Sequence, residues 1–191
     1  MGNLTSIDYG IGKYLADSDA TQLPTILNTR YNLSLLQFRL AANKSYARYN
    51  LTDGIVDAFV DESGVDTGSS TNETYDASND LYSPTGGNTN MTLISTSATA
   101  LAAPAYGRII IFEEDVDAST INTDIKGYVS RDATNYTEIT LVDEGFYDGT
   151  KRILAASATL TTTSGVAMRW KITTHNTKNL KIHGVSMLWA T

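Results

Sequence analysis

Apolar positions change period near Asp53. From Pro24 to about Tyr49 they recur at helical spacing with no further Pro or Gly, and beyond Asp53 the repeat shortens towards two. Pro24 suits a first helical turn, where its missing N–H would have had no partner. At 1.5 Å per residue the run would make a rod of roughly 39 Å. A seven-residue spacing puts Ile26, Leu33, Leu40 and Ala47 at one core position and Thr29, Leu36 and Asn43 at the other. Leu35, Phe38 and Tyr46 fall outside that seam and widen the apolar face. Such widening occurs in bundles of more than two helices, or where a helix also packs on a globular domain. Two roles fit, a self-associating stalk and an amphipathic helix lying on its own β domain, and the stalk is favoured. Asn43 discriminates, because a buried core Asn costs stability but can fix register and oligomer number among like helices.

After Asp53 the pattern predicts about eight short strands, over residues 55–60, 91–96, 108–116, 124–130, 136–142, 152–160, 166–174 and 180–189. Val166, Met168, Trp170 and Ile172 alternate with Arg169, Lys171 and Thr173, so that strand has one wet side. Ile109, Ile110, Ile111 and Phe112 are apolar on both faces and belong centrally. Turn residues separate the runs and no crossover helices intervene. The expected fold is mainly β: an N-terminal arm (1–22), a long coiled-coil-like α-helical stalk (23–50) and an antiparallel jelly-roll-type β-sandwich head (53–191). The polar stretch 64–90 reads as a surface loop wrapping the sandwich.

Composition removes several function classes. The 191-residue chain has no cysteine, which excludes disulfides, thiolate metal sites and cysteine nucleophiles. Its formal charge is −7 and its 14 Lys and Arg are scattered, unlike the clustered basic footprint of a nucleic-acid binder. No apolar run approaches the ~20 residues that cross a bilayer, and Met1 to Ala20 has neither a basic start nor an apolar stretch. The expectation is a protein made in the cytosol without an export signal or membrane insertion.

The chemistry-bearing residues are weakly patterned. Acids cluster at Asp53, Asp57, Asp61, Glu62 and Asp66, and again at Glu113, Glu114, Asp115 and Asp117. Together the clusters could hold calcium, but solvated charge and edge protection are favoured. A glycosidase needs two carboxylates ~5–10 Å apart, which so acidic a chain can always supply. His175 and His183 lack the spacing of a metal pair or a triad, and Gly10-Ile11-Gly12 lacks the rest of a phosphate loop. No catalytic residue, metal or cofactor is therefore assigned. Sugar rings stack on flat apolar faces, and aromatics in or beside predicted loops, Tyr75, Tyr82, Tyr136 and Tyr147 among them, are the candidate glycan contacts.

The stretches Asp57-Ala58-Phe59-Val60-Asp61-Glu62-Ser63-Gly64-Val65-Asp66-Thr67 and Tyr75-Asp76-Ala77-Ser78-Asn79-Asp80-Leu81-Tyr82 resemble a motif of tailed-phage virion proteins, usually labelled tail fibre or tail proteins. Tyr128-Val129-Ser130-Arg131-Asp132, Asp143-Glu144-Gly145, Lys151-Arg152-Ile153-Leu154 and His183-Gly184-Val185-Ser186-Met187-Leu188-Trp189 resemble the same C-terminal module. One departure is Ala133-Thr134-Asn135, where the family pattern favours glycines. The resemblance covers roughly residues 53–191 and carries no catalytic residues. It implies a non-enzymatic bacteriophage structural protein of the virion, an oligomeric tail fibre or tail component with the homotrimer as its expected state. The arm would dock on other virion proteins, the seam Ile26, Leu33, Leu36, Leu40, Asn43 and Ala47 would join subunits, and the head would serve host attachment through surface polysaccharide. Rival readings are a capsid decoration protein or head fibre without a receptor role, and a carbohydrate-active enzyme domain using Asp57, Asp61 or Glu113.

Overall fold

A strand with apolar residues on both faces must be covered twice, and that requirement organises the molecule. The computed structural model describes residues 36, 38–40, 51–146 and 150–191. Among these, β1 (Asp53–Asp57) is followed by the hairpin β2 (Glu73–Asp76) and β3 (Leu81–Pro84), then β4 (Thr92–Ile94) and β5 (Ala98–Thr99). The long β6 (Tyr106–Asp115) leads to β7 (Ile125–Ser130), β8 (Tyr136–Ile139) and β9 (Val142–Phe146). Then come β10 (Lys151–Thr159), β11 (Ala167–Thr174) and β12 (Leu180–Ala190).

The strands form two antiparallel sheets. The larger has the order β2-β3-β12-β6-β10-β9, with β1 also on β12, and the smaller has β4-β11-β7-β8, with β5 also on β11. In chain order, β1–β3 lie in the large sheet, β4 and β5 in the small, β6 in the large, β7 and β8 in the small, β9 and β10 in the large, β11 in the small and β12 in the large. The chain therefore crosses between the sheets repeatedly, which is jelly-roll connectivity. The expected mainly β sandwich is present, and it differs from the expectation in detail. The stretch 64–90 contains the β2–β3 hairpin, and Leu81 and Tyr82 on it are buried. Its short strands escape a period-two reading because turn residues outnumber apolar ones there.

The predicted strand 136–142 is two strands in different sheets. The chain passes from β8 to β9 through Thr140 and Leu141. The Asn122 side chain holds both backbone groups of the buried Leu141, donating to its carbonyl at 2.9 Å and accepting its N–H at 2.8 Å.

The core between the sheets is built from Ile109 and Ile111, Leu154, Val129, Met168, Trp170 and Ile172, with Leu180, Ile182, Val185, Met187 and Trp189 of β12. That last set switches from even to odd numbers. Strict alternation would turn Val185, Met187 and Trp189 outward, but a bulge between Ile182 and Gly184 inserts His183 and reverses the faces.

On the other face of the large sheet, Ile110, Phe112, Ile153, Ala155 and Leu188 are also buried. Phe38, helical and fully buried, stacks there on Phe112 with ring centroids 5.8 Å apart. A Cβ on Gly184 would sit 3.0 Å from the Phe38 ring, so the bulge glycine admits that ring. Phe38 belongs to the same compact unit as the sandwich, residues 38–191.

Phe38 thus packs on the large sheet, while Leu36 and Leu40 of the seam are helical and each 62% exposed; a long helical stalk is not seen among the described residues. The remaining seam residues, Ile26, Leu33, Asn43 and Ala47, lie outside the described residues, as do the 1–22 arm and most of the 23–50 stalk.

Phe38→Ala should lower the unfolding free energy by about 3–5 kcal/mol in urea titration, since it empties a closed aromatic contact. A loss below about 1 kcal/mol would mean that the ring is dispensable to the sheet.

Candidate functional site

The stretches 57–67 and 75–82 meet in the fold, and there they pack. The Phe59 ring enters the core edge-on to Tyr82, with centroids 4.9 Å apart, and lies 6.3 Å from Trp170. Its backbone is left-handed, φ 54°, a conformation that costs a bulky residue energy. Two side chains hold it: an Asp57 oxygen accepts the Phe59 N–H at 2.9 Å, and the Tyr75 hydroxyl donates to its carbonyl at 2.9 Å.

Tyr82 is fully buried, and this corrects its assignment as a glycan contact: it belongs to a strand that closes the core. Tyr75 packs on Tyr82 with centroids 5.1 Å apart, and its hydroxyl is engaged inside. Tyr147 lies outside the described residues.

The acidic residues are similarly committed. The Ser63 hydroxyl, and then the Ser63 N–H that the Asp61 carboxylate accepts at 2.8 Å, hold the Asp61 pKa below the usual range. Burial raises the pKa of Asp57. Both line an open cleft of about 480 Å³ with Arg39, Val56, Ala58 and Val60.

Glu113 is fully buried and accepts from Arg152 Nε at 2.7 Å, while Arg152 Nη2 reaches Asp115 at 3.1 Å and Ser119 at 2.6 Å. Burial pushes Glu113 up to about 8, with a hydrogen bond to Asp115 helping and Arg152 opposing. A carboxyl with no exposed surface has no path to a polysaccharide. Its neighbour Glu114 faces the other way and is held at about 2, first by the hydrogen bond from His183 at 2.8 Å, then by Lys181 and Lys151. Among the described residues no three Asp, Glu or His side chains converge as metal ligands.

The outer face of the small sheet is different. Antiparallel register places Arg169, Ser130 and Tyr136 in one cross-strand row, Lys171, Tyr128 and Glu138 in the next, and Thr173 with Lys126 in a third. All point away from the core, because Met168, Trp170 and Ile172 alternate with them inward.

Lys171 Nζ lies 4.3 Å from the Tyr128 ring centroid and 4.4 Å from that of Tyr136, so one ammonium is held by two aromatic rings. Around it, Lys126 pairs with Glu138 at 3.2 Å and Arg169 with Asp66 at 2.8 Å. Burial lowers the pKa of Lys171 and raises those of both tyrosines. His175 Nε2 joins the face through Thr173 Oγ1 at 2.9 Å. Tyr128, Tyr136 and Lys171 are each half-buried, so the face offers aromatic and polar groups together to solvent.

Tyr136 is the one sequence-predicted glycan residue on this face. Tyr128 was missed. Its signal was its place between Lys126 and Ser130 on a wet face, and Lys171 was already on the wet side of its strand. What no single strand contains is the register that brings the two tyrosines to one lysine.

No family model matches the sequence, and no curated protein matches it. Solved structures similar to the chain include a low-affinity xylan-binding module, CBM86, from Roseburia intestinalis (9% identity, TM-score 0.43, covering 73% of this chain and 97% of that one). Another is the mannan-recognising carbohydrate-binding module TmCBM27 (8% identity, TM-score 0.42, covering 74% and 98%). A third is the Clostridium thermocellum xylanase 10B N-terminal CBM22-1-GH10 modules (17% identity, TM-score 0.37, covering 53% of this chain and 22% of that one). Likenesses this loose transfer no ligand and no residue role.

Because the folded-state pKa of Glu113 is raised, its contribution to stability is full below about pH 4.5 and is lost as pH rises through about 8. Glu113→Gln should therefore gain on the wild type between pH 5 and pH 8 by roughly 1–4 kcal/mol in urea unfolding. A gap between the two proteins that stays constant with pH would show Glu113 ionised throughout.

Proposed function

We propose that the protein is a non-catalytic polysaccharide-binding module whose ligand lies across the outer face of the small sheet. The observation that carries the reading is the cluster of Tyr128, Tyr136 and Lys171 on an otherwise open sheet face, ringed by charged and hydroxyl side chains. Stacking on rings and hydrogen bonds from fixed polar groups are the two interactions a sugar polymer offers. The centre of the large sheet offers no such surface, since Ile110, Phe112, Ile153, Ala155 and Leu188 on its outer face are buried.

The setting proposed for this module is the virion of a tailed phage, as a fibre or tail component that attaches to host-surface glycan. Support comes from the sequence resemblance across residues 53–191. Weak single-site binding of a polymer gains by orders of magnitude when several heads act together. Leu36 and Leu40, left exposed while Phe38 is spent on the sheet, are the surface by which copies would associate. The trimer is the proposed assembly.

Tyr128→Ala with Tyr136→Ala should lower retention on immobilised bacterial surface polysaccharides at least about tenfold, with circular dichroism unchanged. Unaltered retention would remove the small sheet from the binding surface. Leu40→Asp should reduce the mass found by light scattering to that of one chain without changing the unfolding midpoint. An unchanged mass would deny this residue a part in association.

A further inference from the structure

Resting on that reading, we infer that the ligand is an acidic polysaccharide, its negatively charged sugar unit bound to the Lys171 ammonium between Tyr128 and Tyr136.

The charges of the face leave one cation over. Lys126 is matched by Glu138 and Arg169 by Asp66, each within ion-pair distance. Lys171 has neither a carboxylate at that distance nor a hydrogen-bond acceptor among the described residues; its close contacts are the two ring faces. A ring face attracts a cation but accepts no conventional hydrogen bond, so the three N–H donors of the ammonium remain for something else. Packing between the rings also strips water from the charge, and burial is the main cause of the lowered Lys171 pKa. An anion arriving there replaces little hydration and gains a charge-assisted hydrogen bond.

The geometry also weighs against a neutral sugar as the central contact. Stacking needs a free ring face, and the faces of Tyr128 and Tyr136 turned towards each other are taken by the lysine. A carboxylated or sulfated sugar can meet the ammonium from the solvent side without displacing it. The overall charge of −7 adds a filter: an acidic polymer is repelled from most of the molecule, so its binding would depend on the Lys171 ammonium.

The test uses the full-length chain and affinity electrophoresis in gels containing polygalacturonate, alginate, polysialic acid or dextran sulfate. Each carboxylated polymer is paired with its carboxyl-reduced form and the sulfated one with dextran. Expected are retardation by at least one acidic polymer, affinity about tenfold lower for its neutral partner, and weakening with added salt. Lys171→Met, which keeps the stem between the rings, should erase the preference for the acidic form. Retardation by neutral polymers that depends on Tyr128 and Tyr136 but is indifferent to charge would overturn the acidic-ligand inference and keep the binding face. An unchanged acidic preference in Lys171→Met would overturn it as well. Silence with every polymer would overturn both.

Discussion

The structure depends on β12 and β6 being covered on both faces. A strand has only two sides, and each of these carries apolar residues on both. The insertion of His183 lets β12 do so without a break in pairing: Leu180 and Ile182 enter the core from one register, Val185, Met187 and Trp189 from the next. The face released by that reversal holds Gly184, Ser186 and Leu188, and Phe38 closes against the glycine. Ser186 is satisfied there by donating its hydroxyl to the Ile55 carbonyl at 3.1 Å, so β1 is tied to the same strand by a side chain as well as by its ladder.

With the centre of the large sheet covered on both sides, the small sheet differs in kind. The outer residues of β7 and β8 alternate with the core and are polar or aromatic. The distinction is visible in β11, half wet, against β6, buried over most of its length. On the proposed reading, binding and stability would occupy different sheets, which would leave the small sheet free to change its surface without cost to the core.

How much of this was legible in the sequence follows from what each residue has to do. β11 could be read because its apolar and polar residues alternate without interruption, and β6 because it does not alternate at all. The jelly-roll class followed from those strands and the absence of crossover helices. The β2–β3 hairpin was hidden because Tyr75 and Tyr82 look like loop aromatics until Phe59, held by side chains from both directions, is seen to lie against them. The helix was harder still. Phe38 lay outside the seven-residue seam, and only the groove over Gly184 shows which face the domain takes. The departure at Ala133 has a physical meaning too: its φ is 62°, so an alanine occupies the left-handed position where glycine is favoured, and the Asp132 carboxylate holds the turn by accepting the N–H groups of Thr134 and Asn135 at 3.0 and 2.7 Å.

The two-residue step from β8 to β9 has a mechanical consequence. Tyr136 begins β8, and five residues on the same backbone enters Leu141, pinned by Asn122 on both its amide and its carbonyl. A pull on anything held at Tyr136 would run along β8 into that clasp and from there into the broad sheet, so tension would be shared by both layers rather than peeling the outer strand away.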